Sequence, residues 1–354
     1  MEPLTYPNEL SIASCNGGGI RGIIPARMLS EIEKRTELAS VDCFDIFVGT
    51  SAGAIVTAAL NCPVVIGEAI PKYRAEDIVS LFKENAATIF PPIPIYKKPI
   101  TWLSSFFTSK YYTEGLEKVL NNFCGDLLIS DSIRDLIIPA AKMPEKEPWW
   151  FTNKGIFSKG NASPFNNAFT QKIKIVDVLR ATTAAPTYFP YASFEIDKKI
   201  CHFEDGGLYA NNPARIGLTF ARAVYGSGRA PLLGCFGTGF PPPDEAMESY
   251  YNSGLLHWAS EFPEAAMLLE NKEVDLEAEI EVEASTFTTG EKERRILSLQ
   301  PDLSSEDYVL DDSSEKHIEH LLSATEKCIE DNTDYIRAFC EKLVLAHEEK
   351  LKAI

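Results

Sequence analysis

The sequence predicts an α/β fold: a sheet with helices between its strands and with several strand ends gathered at one edge. Three observations predict it. Strand-like and helix-like runs alternate through the first half of the chain. Four strand-like runs each end in a glycine-rich turn. Residues 313–354 carry only helical patterning, which reads as a terminal helical layer.

The first strand covers residues 10–15 and runs into Asn16-Gly17-Gly18-Gly19. The helix after it tolerates Pro25 in its first turn and shows Ile24, Met28, Leu29 and Ile32 as an apolar stripe. Residues 43–48 look like a buried strand. The stretch Gly49-Thr50-Ser51-Ala52-Gly53 follows at once and has the form G-x-S-x-G. That spacing places a serine at a sharp strand-to-helix turn, with its oxygen exposed to attack substrate. Residues 52–60 are apolar on nearly every side, as expected of a fully buried helix. Gly49 and Gly53 would let that helix approach its strand closely. A third strand, residues 200–203, ends at Glu204-Asp205-Gly206-Gly207, and a helix starts near Pro213. Residues 231–236 form a fourth, ending in Gly237-Thr238-Gly239. Ser313 or Ser314 caps the closing helices. No linker or internal repeat interrupts the chain. One domain is expected over 1–354, with a motif-bearing core at about 8–245 and a C-terminal strand and helical layer at about 246–354.

The formal net charge of −17 argues against nucleic acid as a partner. Eight cysteines stand at 15, 43, 62, 124, 201, 235, 328 and 340, with no C-x-x-C pair. They read as reduced, buried thiols of a cytoplasmic protein, with no metal site. The N-terminus shows no secretory signal, and no apolar run is long enough to span a bilayer. Membrane contact is therefore expected to be peripheral. Residues 85–113 and 148–176 contain no acid. They place Lys97, Lys98, Lys110, Lys154, Lys159, Lys172 and Lys174 among aromatics, from Phe90, Tyr96, Trp102, Phe106 and Phe107 to Trp149, Trp150, Phe151, Phe157, Phe165 and Phe169. Rings beside lysines suit a lipid headgroup layer, and equally a core beneath long loops.

A serine nucleophile needs a base and donors for the oxyanion. Gly17, Gly18 and Gly19 are candidates for the donors, because three successive glycines leave their N–H groups accessible. Arg21 would order that loop or add positive charge beside it. Gly17, Gly19 and Gly22 also match the dinucleotide fingerprint. The acid expected at the end of the second strand is missing, because that strand ends in Gly49-Thr50-Ser51. A nucleotide-binding module therefore ranks lower. For the base, His317, His320 and His347 lie among charges and read as solvent-facing. His257 reads as a packing residue and His202 as a strand residue. Asp205 ends a strand at the same edge as Ser51, although taken alone it reads as an ordinary turn aspartate. A Ser–His–Asp esterase stays an alternative, but its elbow would come later in the chain.

Together, Asn16-Gly17-Gly18-Gly19-Ile20-Arg21-Gly22, Gly49-Thr50-Ser51-Ala52-Gly53 and Asp205-Gly206-Gly207 resemble the patatin-like phospholipases in order and spacing. Residues 180–190, Asn211-Asn212-Pro213-Ala214 and Gly237-Thr238-Gly239 fit the same family, with a weaker likeness through 297–300 and 310–313. The resemblance implies a three-layer α/β/α fold with a mostly parallel central sheet and extra C-terminal helices. It implies a lipid acyl hydrolase of the phospholipase A type, with no cofactor. Ser51 would be the nucleophile, Asp205 the base and Gly17 to Gly19 the oxyanion loop, supported by Arg21, Gly49, Gly53, Gly206 and Gly207. A phospholipid surface would be the partner. A small-molecule or protein activator, a homodimer and delivery into a host cell are left open. Asn16 stands where the family often has aspartate, which removes one charge beside the loop.

Overall fold

The structure, a computed structural model, describes residues 10–92, 109–154, 172–226, 231–240 and 295–353. Among these residues eight strands form one sheet: β1 (Ser11–Cys15), β2 (Ile46–Gly49), β3 (Asp135–Met143), β4 (Glu147–Thr152), β5 (Ala192–Ile196), β6 (Lys199–Asp205), β7 (Leu232–Phe236) and β8 (Ile296–Leu299). The order is β5-β6-β3-β2-β1-β7-β8, with β4 also paired to β3. From β3 through β2, β1 and β7 to β8 the pairing is parallel, whereas β4, β5 and β6 join antiparallel.

Alternation along the central strands separates two cores. Ala13, Phe47, Leu232 and Phe236 face one core. It is shared with α1 (Ile23–Thr36), α2 (Ala52–Leu60), α3 (Ala75–Ile89), α4 (Glu114–Cys124) and α5 (Ile175–Thr182). Ile12, Ile46, Val48 and Leu233 face the other, against α6 (Ala214–Tyr225). The result is the expected three-layer α/β/α arrangement around a mostly parallel sheet. Two C-terminal helices, α7 (Glu315–Asp331) and α8 (Thr333–Ala353), pack on the α1 side. Ser314 caps α7 by accepting from the His317 N–H at 3.3 Å.

The register of β3 is what builds the site. Ile137 pairs with Val48 of β2 and with Thr152 of β4. Ala140 pairs with Asp205 of β6 and with Trp149 of β4. A strand has two hydrogen-bonding sides, and β4 occupies one of them. Hence β2 and β6 share the other side, running toward each other. β2 stops at Gly49, and β6 comes down from above to end at Asp205. The expected gathering at one edge thus arises differently for β6, because an antiparallel strand delivers its C-terminal end there.

Several local expectations shift. The strand expected from residue 43 begins at Ile46, since Ser40–Cys43 makes a helical turn. A turn of 3-10 helix, Gly19–Gly22, separates the glycines from α1. The β3–β4–β5 region has no strand pattern clear enough to read, because Pro139 and lysines interrupt it. Trp149 and Phe151 are core residues, with Phe151 5.1 Å from the Phe203 ring, and Phe90 is buried too. Burial of these rings corrects the headgroup reading for them. Tyr96, Lys97, Lys98, Trp102, Phe106, Phe107, Phe157, Lys159, Phe165, Phe169 and His257 lie outside the described residues.

Candidate active site

Ser51 stands between β2 and α2 with φ +51° and ψ −121°. A non-glycine residue at positive φ is strained, and such strain is characteristic of a nucleophile elbow. The surroundings over-determine it. A methyl group at Gly53 would lie 2.3 Å from the Cys15 carbonyl oxygen, so β1 and α2 meet only because no side chain intervenes. The Ser51 N–H donates to Thr182 Oγ1 at 3.0 Å, and that hydroxyl donates to the Pro139 carbonyl at 2.6 Å. Thr50 Oγ1 donates to the Ala210 carbonyl at 2.6 Å. The elbow is therefore tied to β3 and to the turn beyond β6 by two threonines that the sequence reading did not single out. Thr182 lies in the 180–190 stretch, so the signal was the motif and not any chemistry of its own.

Ser51 Oγ donates to Asp205 Oδ2 at 2.7 Å. Asp205 is fully buried, and its other oxygen accepts the Gly207 N–H at 2.7 Å. Burial raises its pKa from the ordinary 3.8 to about 7, against the opposing pull of the Gly207 and Ser51 hydrogen bonds. A carboxylate at that pKa is a far better proton acceptor at neutral pH than an exposed one. Gly206 permits this geometry, since a methyl group there would lie 2.3 Å from the Pro139 oxygen.

Of the three candidate donors, Gly17 is otherwise engaged: its N–H donates to the Asn211 carbonyl at 3.1 Å. Gly18 and Gly19 line the cleft at Ser51. Ala52, the first residue of α2, lines it as well and adds an N–H at a helix N-terminus. Thr238 Oγ1 bonds the Gly17 carbonyl at 2.6 Å and fixes the base of the loop. Arg21 orders it from behind: it is buried, its Nε donates to the Gly18 carbonyl at 3.4 Å, and its guanidinium lies 3.9 Å from the Tyr308 ring centre.

Four described histidines stand elsewhere. His202 Nδ1 pairs with Ser193 Oγ at 2.8 Å, and His347 Nδ1 meets the Asp42 carbonyl at 3.2 Å. His320 pairs with Asp307 at 3.1 Å. His317, expected to face solvent, is buried beside the same Asp307, because it falls on the inner face of α7. Among the described residues no histidine bonds to Ser51 or Asp205. No group of three metal-ligating side chains is found among them either. Within the Gly17–Gly22 stretch the N–H groups of Gly17, Ile20 and Arg21 are spent internally, on Asn211, Leu310 and Gly18.

Ser51 and Asp205 open into a cleft of about 570 Å³ including its mouth. Its far wall is apolar, with Phe82 from α3, Phe90 just past its end, Leu116 from α4, Phe189, and Leu310 from the segment before α7. These residues come from four separate stretches, and no local pattern marks them in the sequence.

A strained serine, a buried carboxylate on its hydroxyl and an apolar cleft on an α/β/α fold define a carboxylic ester hydrolase. The family model for patatin-like phospholipase matches residues 14–218. The chain belongs to the patatin-like phospholipase family. It is 28% identical to Patatin-like protein 4 of Arabidopsis thaliana, over 94% of this chain and 86% of that protein. It is 32% identical to Patatin-like protein 2 of the same plant, over 62% of this chain and 54% of the relative. A cGAMP-activated phospholipase of Vibrio cholerae is 30% identical over 60% of this chain and 57% of its own length. The match thus spans little more than half the length of the latter two.

Proposed function

We propose that the protein is a phospholipase A-type lipid acyl hydrolase working through a Ser51–Asp205 dyad. The 2.7 Å bond between Ser51 Oγ and buried Asp205, at the end of an apolar cleft, carries this reading. Asp205 takes the Ser51 proton as Oγ attacks the ester carbonyl. The developing oxyanion is held by N–H groups of Gly18, Gly19 and Ala52. Asp205 passes its proton to the departing alcohol. It then activates the water that hydrolyses the acyl-enzyme, and the fatty acid leaves through the cleft. Arg21, Gly49, Gly53, Gly206 and Gly207 hold the geometry and take no part in proton transfer.

The substrate implies peripheral attachment to a phospholipid surface, and the whole chain, 1–354, acts as one domain. The Vibrio cholerae relative motivates testing a cyclic dinucleotide as an activator of this chain. Mass spectrometry of mixed phospholipid vesicles, with and without that compound, tests all of this. The wild type should release fatty acid and lysophospholipid, while Ser51→Ala and Asp205→Asn should release neither. Release by Ser51→Ala would sink the proposal. Activity that survives Asp205→Asn but is lost on replacing one histidine would select a triad hydrolase instead.

A further inference from the structure

Residues 303–313, which follow β8, form a strap whose Leu310 lies against the glycine loop. The Leu310 carbonyl accepts the Ile20 N–H at 2.9 Å. It also sits where a side chain on Gly19 would be, 2.2 Å from a methyl placed there, and Gly19 has φ +59°. Leu310 itself lines the cleft. The next residue, Asp311, is the anchor. Its side chain is only 8% exposed, it accepts from Tyr111 Oη at 2.6 Å, and it pairs with Lys110 Nζ at 2.5 Å. Lys110 and Tyr111 are themselves held, their N–H groups donating to the Thr187 and Tyr188 carbonyls at 2.7 and 2.8 Å. The Tyr111 ring packs 5.8 Å from Phe189 of the cleft wall.

We propose that Asp311 is a positioning residue for the hydrolysis assigned to Ser51 and Asp205, on which reading this inference rests. It pins Leu310 onto the glycine loop, and Leu310 in turn sets the direction of the Gly18 and Gly19 N–H groups. The Gly19 N–H lies in the peptide next to the one that Leu310 grips, and the Gly18 N–H in the peptide before that, so a tilt of the strap turns the first and is passed on to the second. Displacement of a catalytic group by about 1 Å can cost about a hundredfold in rate. Ser51 and Asp205 are tied to β3 and to the turn after β6 instead, through Thr182, Gly207 and Thr50. Loosening the strap should therefore weaken oxyanion stabilisation and leave the proton transfer untouched.

That separation gives the test. Steady-state kinetics on a soluble short-chain ester, across pH, are measured for the full chain carrying Asp311→Ala or Tyr111→Phe, with Ser51→Ala alongside. Tyr111→Phe deletes one oxygen and keeps the ring, so it reports even if Asp311→Ala does not fold. The expected result is a kcat lowered about tenfold or more for Asp311→Ala, and less for Tyr111→Phe. KM should stay within about twofold and the pH limb should keep its position, as for an interaction made only in the transition state. Asp311→Asn should recover part of the loss, since its amide oxygen can still accept from Tyr111. An unchanged kcat in folded Tyr111→Phe, a change confined to KM, or a displaced pH limb would each overturn the inference. Activity in Ser51→Ala would instead overturn the dyad reading itself, whatever the strap variants do.

Discussion

On one wall of the cleft, Ser51, Asp205 and the glycine loop are held by directed hydrogen bonds; on the other, Phe82, Phe90, Leu116 and Phe189 pack within one apolar core. The polar wall sits where three strands end and fixes each reacting atom with bonds of 2.6 to 3.1 Å. The apolar wall comes from helix ends and a loop, with interactions that are individually weak and indifferent to direction. The polar wall should therefore decide whether the reaction happens, and the apolar wall which acyl chain is accepted. Substitutions that abolish one property while sparing the other sharpen this division.

The largest effects are expected at Ser51 and Asp205, the proposed dyad. Ser51→Ala and Asp205→Asn should each lower kcat by about 10⁴ or more, read from ester hydrolysis by purified, folded protein. Asp205 also ties activity to pH in a definite direction. Its pKa of about 7 means that kcat/KM should climb as pH rises to and through 7. Stability should move the other way. The folded pKa lies above the unfolded 3.8, so the folded state holds the proton more tightly. This contribution is fully present below pH 4 and is lost as pH rises through 7, on the order of 4 kcal/mol. Asp205→Asn carries no ionisable group there, so its melting temperature should exceed that of the wild type more at pH 8 than at pH 4. An equal difference at both pH values would mean that Asp205 is not a buried, proton-retaining acid.

Next come the glycines that let the polar wall assemble. Gly53→Ala would drive a methyl to 2.3 Å from the Cys15 oxygen, and backbone on both sides leaves no room to yield. It should destabilise the fold by several kcal/mol, visible as a lowered urea midpoint or as insoluble expression. Gly19→Ala combines positive φ with a 2.2 Å approach to Leu310. A wild-type urea midpoint in Gly53→Ala would show that β1 and α2 have more freedom than the geometry allows.

The same contrast explains what could be read from the chain. Gly49-Thr50-Ser51-Ala52-Gly53 and Asp205-Gly206-Gly207 are local arrangements, because a tight turn writes its demands into consecutive residues. The buried α2 was legible for a like reason, being apolar all round. Asp205 as partner of Ser51 was legible only through resemblance. Its reach depends on β6 running antiparallel and meeting β2 along β3, which no spacing in sequence encodes. His317 was misread because charged neighbours hide the inner face of α7. Gly17 looked equivalent to Gly18 and Gly19, and only the Asn211 carbonyl distinguishes them. The apolar wall was illegible because its residues meet from four stretches and would look the same in any core.

A smaller effect is expected at Thr182, whose hydroxyl links Ser51 N–H to the Pro139 carbonyl. Thr182→Val keeps the shape and removes both bonds, leaving a buried amide unpaired at a cost of about 1–3 kcal/mol. Released from that tie, Ser51 should relax from its strained conformation, and kcat should fall about tenfold with KM little changed. Thr182→Ser should restore most of the rate, since it returns the hydroxyl. If Val and Ser variants behave alike, the tie does not hold the elbow, and the helix packing at Gly53 is enough.

The smallest effects on rate should come from the apolar wall, where the change is in preference. Leu116 lines the cleft from α4 and is almost fully buried. Leu116→Trp adds bulk at that wall, while Leu116→Ala removes about three carbons and opens it. A buried methylene contributes about 0.8 kcal/mol, so each one that no longer fits should cost about fourfold in kcat/KM. Across esters of increasing acyl length, the Trp variant should lose rate progressively on the longer chains and match the wild type on the shortest. The Ala variant should lose little on the long chains, at a stability cost of about 2–5 kcal/mol from the cavity. Because Leu116 belongs to α4 and not to the elbow or the glycine loop, a uniform fall at every chain length would mean that the two walls are mechanically coupled. The division of labour between them would then fail.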